Sequence, residues 1–212
     1  MRTCRTAFLV SVILGWFPLS AFAQDEARSF VHAHLGYGSV DDDQGSLGRG
    51  LVYGGAIGGA IVDEVEAEFN VTRMRHRRTL AISWEGDITS YMGRVMYRSG
   101  GPRSSVRWFV GAGAGYYFYS GVITETIVPT LSSSPTVDQF AYSCRGLAYE
   151  TGAGAEFETA GHVFVRPELW VAVARGERIA GGRTPQPPFL TARGALVVGL
   201  RFKARSPKSE RQ

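Results

Sequence analysis

The stretch Val106-Arg107-Trp108-Phe109-Val110-Gly111-Ala112-Gly113-Ala114-Gly115-Tyr116-Tyr117-Phe118 decides how the whole chain is read. Val106, Trp108, Val110, Ala112, Ala114, Tyr116 and Phe118 are apolar at every second position. The alternate positions carry Arg107 and the glycines Gly111, Gly113 and Gly115. A period of two puts these sets on opposite faces of a β-strand. Strands in soluble domains average about 5–6 residues, whereas one crossing a bilayer at a tilt needs about 9–11. This strand is long enough to cross.

The same rhythm runs outward in both directions. It predicts eight strands near 29–38, 51–61, 65–74, 87–98, 105–119, 144–158, 162–174 and 189–203. The gaps after the first, third, fifth and seventh are long, centred on 39–50, 75–86, 120–143 and 175–188. Those after the second, fourth and sixth are short: 62–64, 99–104 and 159–161. Strict alternation of long and short connections is the arrangement of an outer-membrane barrel, with long loops outside and tight turns in the periplasm. An even strand count leaves both termini on the periplasmic side. The expected fold is an all-β, eight-stranded antiparallel up-and-down transmembrane β-barrel.

Sorting residues by face strengthens this. One face is apolar throughout, for example Val31, Ala33, Leu35 and Tyr37, or Leu196, Val198, Leu200 and Phe202, and carries no charge. The other holds Glu66, Glu68, Arg94, Arg98, Arg107, Glu150, Glu156, Glu158, Arg166, Glu168, Arg193 and Arg201, balanced between carboxylates and guanidiniums. Arg or Lys on the lipid side at mid-bilayer costs about 2–4 kcal/mol, so these charges belong in the lumen. The glycines on that face, including Gly54, Gly58, Gly152 and Gly154, are expected to make room for long Arg and Glu side chains. Aromatics gather at the strand ends: Tyr37 and Tyr53 beside the first long loop, and Tyr97, Trp108, Phe157 and Phe202 on the periplasmic side, as two interfacial girdles require. Pro167 falls mid-strand and predicts a bulge.

Composition agrees with this division. The chain has 212 residues, 44% hydrophobic and 20% charged, with 27 glycines and a net charge of +4; its mean hydropathy is -0.05. The charge is dispersed, which excludes the concentrated basic face of a nucleic-acid binder. Two arginines in 1–5, an apolar run over 7–19 and Ala21-Phe22-Ala23 read as a secretory signal peptide cleaved before Gln24. The domain reading is signal peptide 1–23, barrel 24–203 and a short basic periplasmic tail 204–212. After cleavage Cys144 is the one cysteine, so stability must come from closed backbone hydrogen bonding rather than from disulfides.

Val62-Asp63-Glu64-Val65-Glu66-Ala67-Glu68-Phe69, the glycine-rich stretch from Trp108 to Tyr116, Gly152-Ala153-Gly154-Ala155-Glu156-Phe157 and Gly199-Leu200-Arg201-Phe202 follow one another in the order and spacing of a known family. The chain resembles the OmpA/OmpX-like small outer-membrane β-barrel domains over almost all of its mature length. One departure is that Phe202 is followed by Lys203 to Gln212, so an insertion signal ending on Phe202 would be internal. The resemblance implies contact with the outer-membrane assembly machinery and residence in the outer membrane of a Gram-negative bacterium.

Several positions are candidates for a site. The twelve lumen charges are expected to fill the interior as a plug, because eight strands enclose space just wide enough for side chains; a narrow conduit is the alternative. His32 and His34 are read as members of that network rather than as a metal site. Arg73, Arg75, Arg77 and Arg78, at the end of the third strand, could meet lipopolysaccharide phosphates through charge-assisted hydrogen bonds. Asp41, Asp42 and Asp43 fail the EF-hand calcium pattern because Gly45 stands at a ligand position. No Gly-x-Ser-x-Gly elbow or Gly-x-Gly-x-x-Gly cradle occurs. The expected function is a monomeric outer-membrane barrel with a structural or surface-interaction role, without catalytic, cofactor or metal residues. A porin-like pore, a lipid A-modifying enzyme and a soluble lipocalin-like barrel are the competing readings.

Overall fold

The computed structural model describes residues 28–42, 45–78, 82–99, 106–127, 136–159, 162–180 and 188–203. The expected signal peptide and tail, and Asp43, lie outside them. Eight strands follow in chain order: β1 Arg28–Asp42, β2 Gly45–Val62, β3 Val65–Arg78, β4 Ile82–Ser99, β5 Val106–Ile127, β6 Thr136–Glu158, β7 Val163–Ala180 and β8 Phe189–Lys203. Each pairs antiparallel with the next, and β1 pairs with β8, from Arg28↔Lys203 to Asp41↔Leu190. The sheet is a closed barrel. Closure matters because it leaves no backbone edge around the ring where all eight strands are paired.

The alternation predicted in the sequence is the alternation observed. Leu35, Tyr37, Ile57, Phe69, Val95, Trp108, Val110, Leu169, Leu196 and Phe202 all point outward and are exposed. Together they form an apolar belt around the wall. Trp108, the most exposed of them at 65%, shares the turn end with Tyr97, Phe157 and Phe202, while Tyr37, Tyr53, Tyr91 and Phe118 border the belt at the hairpin end.

Two expectations about the strands need correction. The long gaps are largely strand: β1 and β2 meet across 43–44, β3 and β4 across 79–81, and only 128–135 and 181–188 remain as longer connections at that end. The reason lies in the pattern itself. From Arg73 to His76 exposed and buried residues still alternate, with Met74 and His76 inside and Arg73 and Arg75 outside, although the outward set is now charged. The β5–β6 hairpin rises furthest, pairing up to Ile127↔Thr136, whereas β6 first meets β7 at Ser143↔Ala180. Second, Pro167 makes no bulge. The β6–β7 register is the same at Gly154↔Glu168 and Phe157↔Val165, on either side of it, and the rungs between are missing. Proline has no N–H to give, and the ladder skips it without slipping. The register shifts of the barrel lie instead at Val40/Asp41, Ala60/Val62 and Ser143/Cys144.

The core is the lumen, and it is divided along its length. The hairpin half is apolar: Val52, Met74, Met92, Tyr117, Tyr119, Tyr142, Cys144 and Phe189 form one buried cluster. In the turn half a second cluster of Phe30, Met96, Phe109, Phe164, Trp170 and Val197 is interleaved with the buried charges. The uniformly polar interior read from the sequence is therefore half right. The inward glycines face mainly these rings. A Cβ on Gly152 would lie 2.3 Å from the Trp170 ring, on Gly154 2.5 Å from Phe109 and on Gly199 2.3 Å from Phe164; Gly113 alone of the β5 glycines sits against the Arg94 and Glu150 stems.

Candidate functional site

The lumen charges stand at inward, even-spaced positions of β3 to β8, so strand period alone aims them at one another across the barrel. They fall into two storeys. Near the turn end, Arg98 and Arg201 alternate with Glu66 and Glu156 in a closed ring. Arg98 Nη2 is 2.6 Å from Glu66 Oε2, and Arg98 Nη1 donates to Glu156 Oε1 at 2.7 Å; Arg201 donates to Glu66 and Glu156, both at 2.7 Å. These four residues come from β4, β8, β3 and β6, so the ring ties opposite walls together. At its rim Arg107 donates to Glu158 at 2.9 Å.

The second storey is a chain. Arg193 donates to Glu150 at 2.5 Å, Glu150 accepts from Arg94, Arg94 donates to Glu68 at 2.7 Å, Arg166 to Glu68 at 3.3 Å, and Arg166 to Glu168 at 3.1 Å. His32 joins it, with Nε2 3.1 Å from Glu68 and 3.0 Å from Arg166, and His34 Nε2 lies 3.2 Å from the Thr72 hydroxyl. The structure thus brings all twelve predicted lumen charges into ion pairs and joins His32 to them, while His34 lies beside the network on the Thr72 hydroxyl. The sequence reading missed the aromatic rings between them. Arg94 lies over Trp170, Arg166 over Phe109 at 5.1 Å and Arg201 over Phe164 at 5.2 Å, and such cation–π contacts strengthen when desolvated. The signal for them was their parity, shared with the charges.

Little space is left. A cavity of about 30 Å³ lies where the charged storeys meet the apolar half, lined by Thr72, Ser90, Tyr117, Glu150, Thr191 and Arg193 among others. That is room for one or two waters, not for a solute path. Above it Tyr142 donates to the Tyr119 hydroxyl at 2.8 Å, and Tyr119 packs edge-on against Phe189. His76 is buried beside Tyr119, and burial holds its pKa below the ordinary 6.5.

The arginine cluster of the third strand is split by the strand period. Arg73, Arg75 and Arg77 are on the outer wall, at the edge of the apolar belt, while Arg78 is half-buried and donates to the Ser46 carbonyl. Arg73 donates to Asp87 at 3.1 Å and Arg75 lies 3.8 Å from the same carboxylate. Arg49 belongs with them: it faces outward on β2 directly opposite Arg77. It was missed because 39–50 reads as loop.

No protein-family model matches this sequence, and no curated protein matches it. Solved structures do. Neisserial surface protein A is 13% identical with a TM-score of 0.61, the match covering 82% of this chain and 97% of that one. A major outer membrane protein from Thermus thermophilus is 16% identical with a TM-score of 0.55, covering 83% of this chain and 99% of that one. At these identities the likeness is one of fold. The chain has the eight-stranded antiparallel barrel of small outer-membrane proteins, as the resemblance in its sequence implied.

Proposed function

We propose that this protein is a barrel of the Gram-negative outer membrane whose lumen is closed, and that it acts through its wall and its surface hairpins in a structural or surface-interaction role. One observation carries the reading: the lumen is crossed by a ring and a chain of buried ion pairs, stacked on aromatic rings and capped by an apolar half. A charge pair buried this way is held by its partners, and opening a path would leave several guanidiniums and carboxylates unpaired at several kcal/mol each.

The membrane location is supported by the uncharged apolar belt. Exposed leucine, isoleucine, valine and aromatic side chains around the whole circumference would be an aggregation surface in water and are the wall of choice in lipid. On this reading the turn end, with the first and last described residues Arg28 and Lys203, faces the periplasm and the hairpin end faces outside. That orientation requires delivery by the secretory signal read at 1–23 and insertion by the outer-membrane assembly machinery. The contact surface is the hairpin end, where β5–β6 stands above its neighbours.

Planar-bilayer recording of the purified, folded protein tests the closed lumen, and heat-modifiable gel migration tests the barrel. A folded band that shifts on boiling, with a silent bilayer, is the expected result. Steady stepwise currents from the pure protein would replace the plug with a pore.

A further inference from the structure

Four arginines on one wall are more than solubility needs. Arg49 on β2 and Arg77 on β3 are direct cross-strand neighbours, both outward and exposed, and neither forms an ion pair among the described residues. Glu85, opposite Arg77 on β4, does not close on it. Like charges directly opposite on adjacent strands destabilise a sheet. Below them Arg73 and Arg75 share the single carboxylate of Asp87 and are 50% and 67% exposed at their side chains. On β2 the next outward residues below Arg49 are Leu51 and Tyr53, directly opposite Arg75 and Arg73, and on β3 the next below Arg73 is Val71, so the apolar belt begins beside and beneath the lower arginines.

We propose that this face binds the phosphate of an outer-leaflet lipid, with Arg49 and Arg77 closing on the phosphate and Arg73 and Arg75, held by Asp87, forming the floor beneath it. The proposal rests on the outer-membrane reading above. A phosphate monoester set between Arg49 and Arg77 turns their repulsion into two sets of charge-assisted hydrogen bonds, and the guanidinium fork matches its oxygens two at a time. The height of the cluster selects a lipid over a free anion. It straddles the edge of the apolar belt, where headgroups lie: the Arg49–Arg77 rung stands above Leu51 and Tyr53, which share rungs with Arg75 and Arg73, and Val71 and Tyr91 below continue an apolar track for acyl chains. Arg78, turned to Ser46, is not part of the site.

The test is native mass spectrometry of the full folded protein released from detergent with bis-phosphorylated lipid A, with dephosphorylated lipid A, and with inorganic phosphate. Wild type is expected to hold the bis-phosphorylated lipid at least about tenfold more tightly than the dephosphorylated one. The double variant Arg49→Gln/Arg77→Gln should lose that preference while keeping its heat-modifiable migration. Arg145→Gln/Arg175→Gln, at exposed outward positions of β6 and β7 on the opposite wall, should keep it. Equal retention of the two lipids by wild type overturns the site, as does an unchanged preference in the Arg49/Arg77 variant. Displacement of the lipid by an equal concentration of inorganic phosphate makes it a free-anion site instead. Should wild type fail to migrate as a heat-modifiable barrel or to insert into vesicles, the membrane reading itself falls, an outcome distinct from insertion without lipid preference. The two-lipid comparison uses wild type alone, so it decides the matter even if the double variant does not fold.

Discussion

The Arg94 guanidinium lies 4.1 Å from the centroid of the Trp170 ring while its nitrogens bind Glu68 and Glu150. This contact joins the two kinds of packing in the lumen, since the cation is held edgewise by carboxylates and facewise by an indole. Glu150 is the acceptor that links Arg94 to Arg193. Glu150→Gln leaves both guanidiniums short of a counter-charge in a buried site, and the expected loss is about 3–5 kcal/mol. Urea unfolding in lipid vesicles, followed by tryptophan fluorescence and gel shift, measures it.

The glycines supply a second test, because they differ by face. A Cβ on Gly152 would lie 2.3 Å from Trp170, while the nearest atom to one on the outward Gly93 is 3.8 Å away. Gly152→Ala is therefore expected to destabilise the barrel by about 1–3 kcal/mol through overpacking. Gly93→Ala, on the lipid side of β4, should leave the unfolding midpoint within about 0.5 kcal/mol of wild type.

Cys144 reports on the hairpin half of the lumen. Its side chain is buried in the cluster with Tyr117, Tyr119, Tyr142 and Phe189. A small maleimide added to the folded protein is expected to leave it unlabelled over hours and to label it within minutes in urea. Rapid labelling of the native protein would mean that this half opens to solvent.

His76 gives the hairpin end a pH dependence. It lies beyond the apolar belt, and burial holds its pKa below the 6.5 expected of the unfolded chain. The sign follows from proton uptake. Well above pH 6.5 the ring is neutral in both states; as the pH falls through 6.5, the unfolded state takes the proton first and the folded hairpins lose stability. The protection of the β2 and β3 amides near His76, taken as the intrinsic exchange rate relative to the observed rate at each pH, should fall between about pH 7.5 and about pH 5 in wild type. His76→Phe should abolish that pH dependence.

The faces of the barrel were legible in the sequence because a strand sorts its side chains with a period of two and the belt tolerates no charge. That rule placed Glu66, Arg94, Glu150, Arg166 and Arg201 inside without any knowledge of their partners. The strand ends were not legible in the same way. Beyond the belt both faces of β3 carry polar residues, so Arg73 to Arg78 looks like loop unless Met74 and His76 are given more weight than the arginines around them. Arg49 disappeared for the same reason. The lumen was read as polar because charges are conspicuous at inward positions and rings are not. Phe109 and Trp170 share the parity of Arg107 and Glu168, but only the three-dimensional register shows that Gly154 and Gly152 are hollowed out beneath them.

The closed ring of Arg98, Glu66, Arg201 and Glu156 has a consequence for how the chain is assembled. Arg201 reaches a glutamate 135 positions earlier in sequence, and Arg193 one 43 positions earlier. Until β8 docks, Glu66 and Glu150 each face the interior one cation short. A slip of one residue at the β1–β8 seam would turn Arg193 and Arg201 out toward the acyl chains. The last strand thus proofreads its own alignment: a misregistered seam stays charged and strained, and only the native one discharges, so the zipper locks at a single tooth.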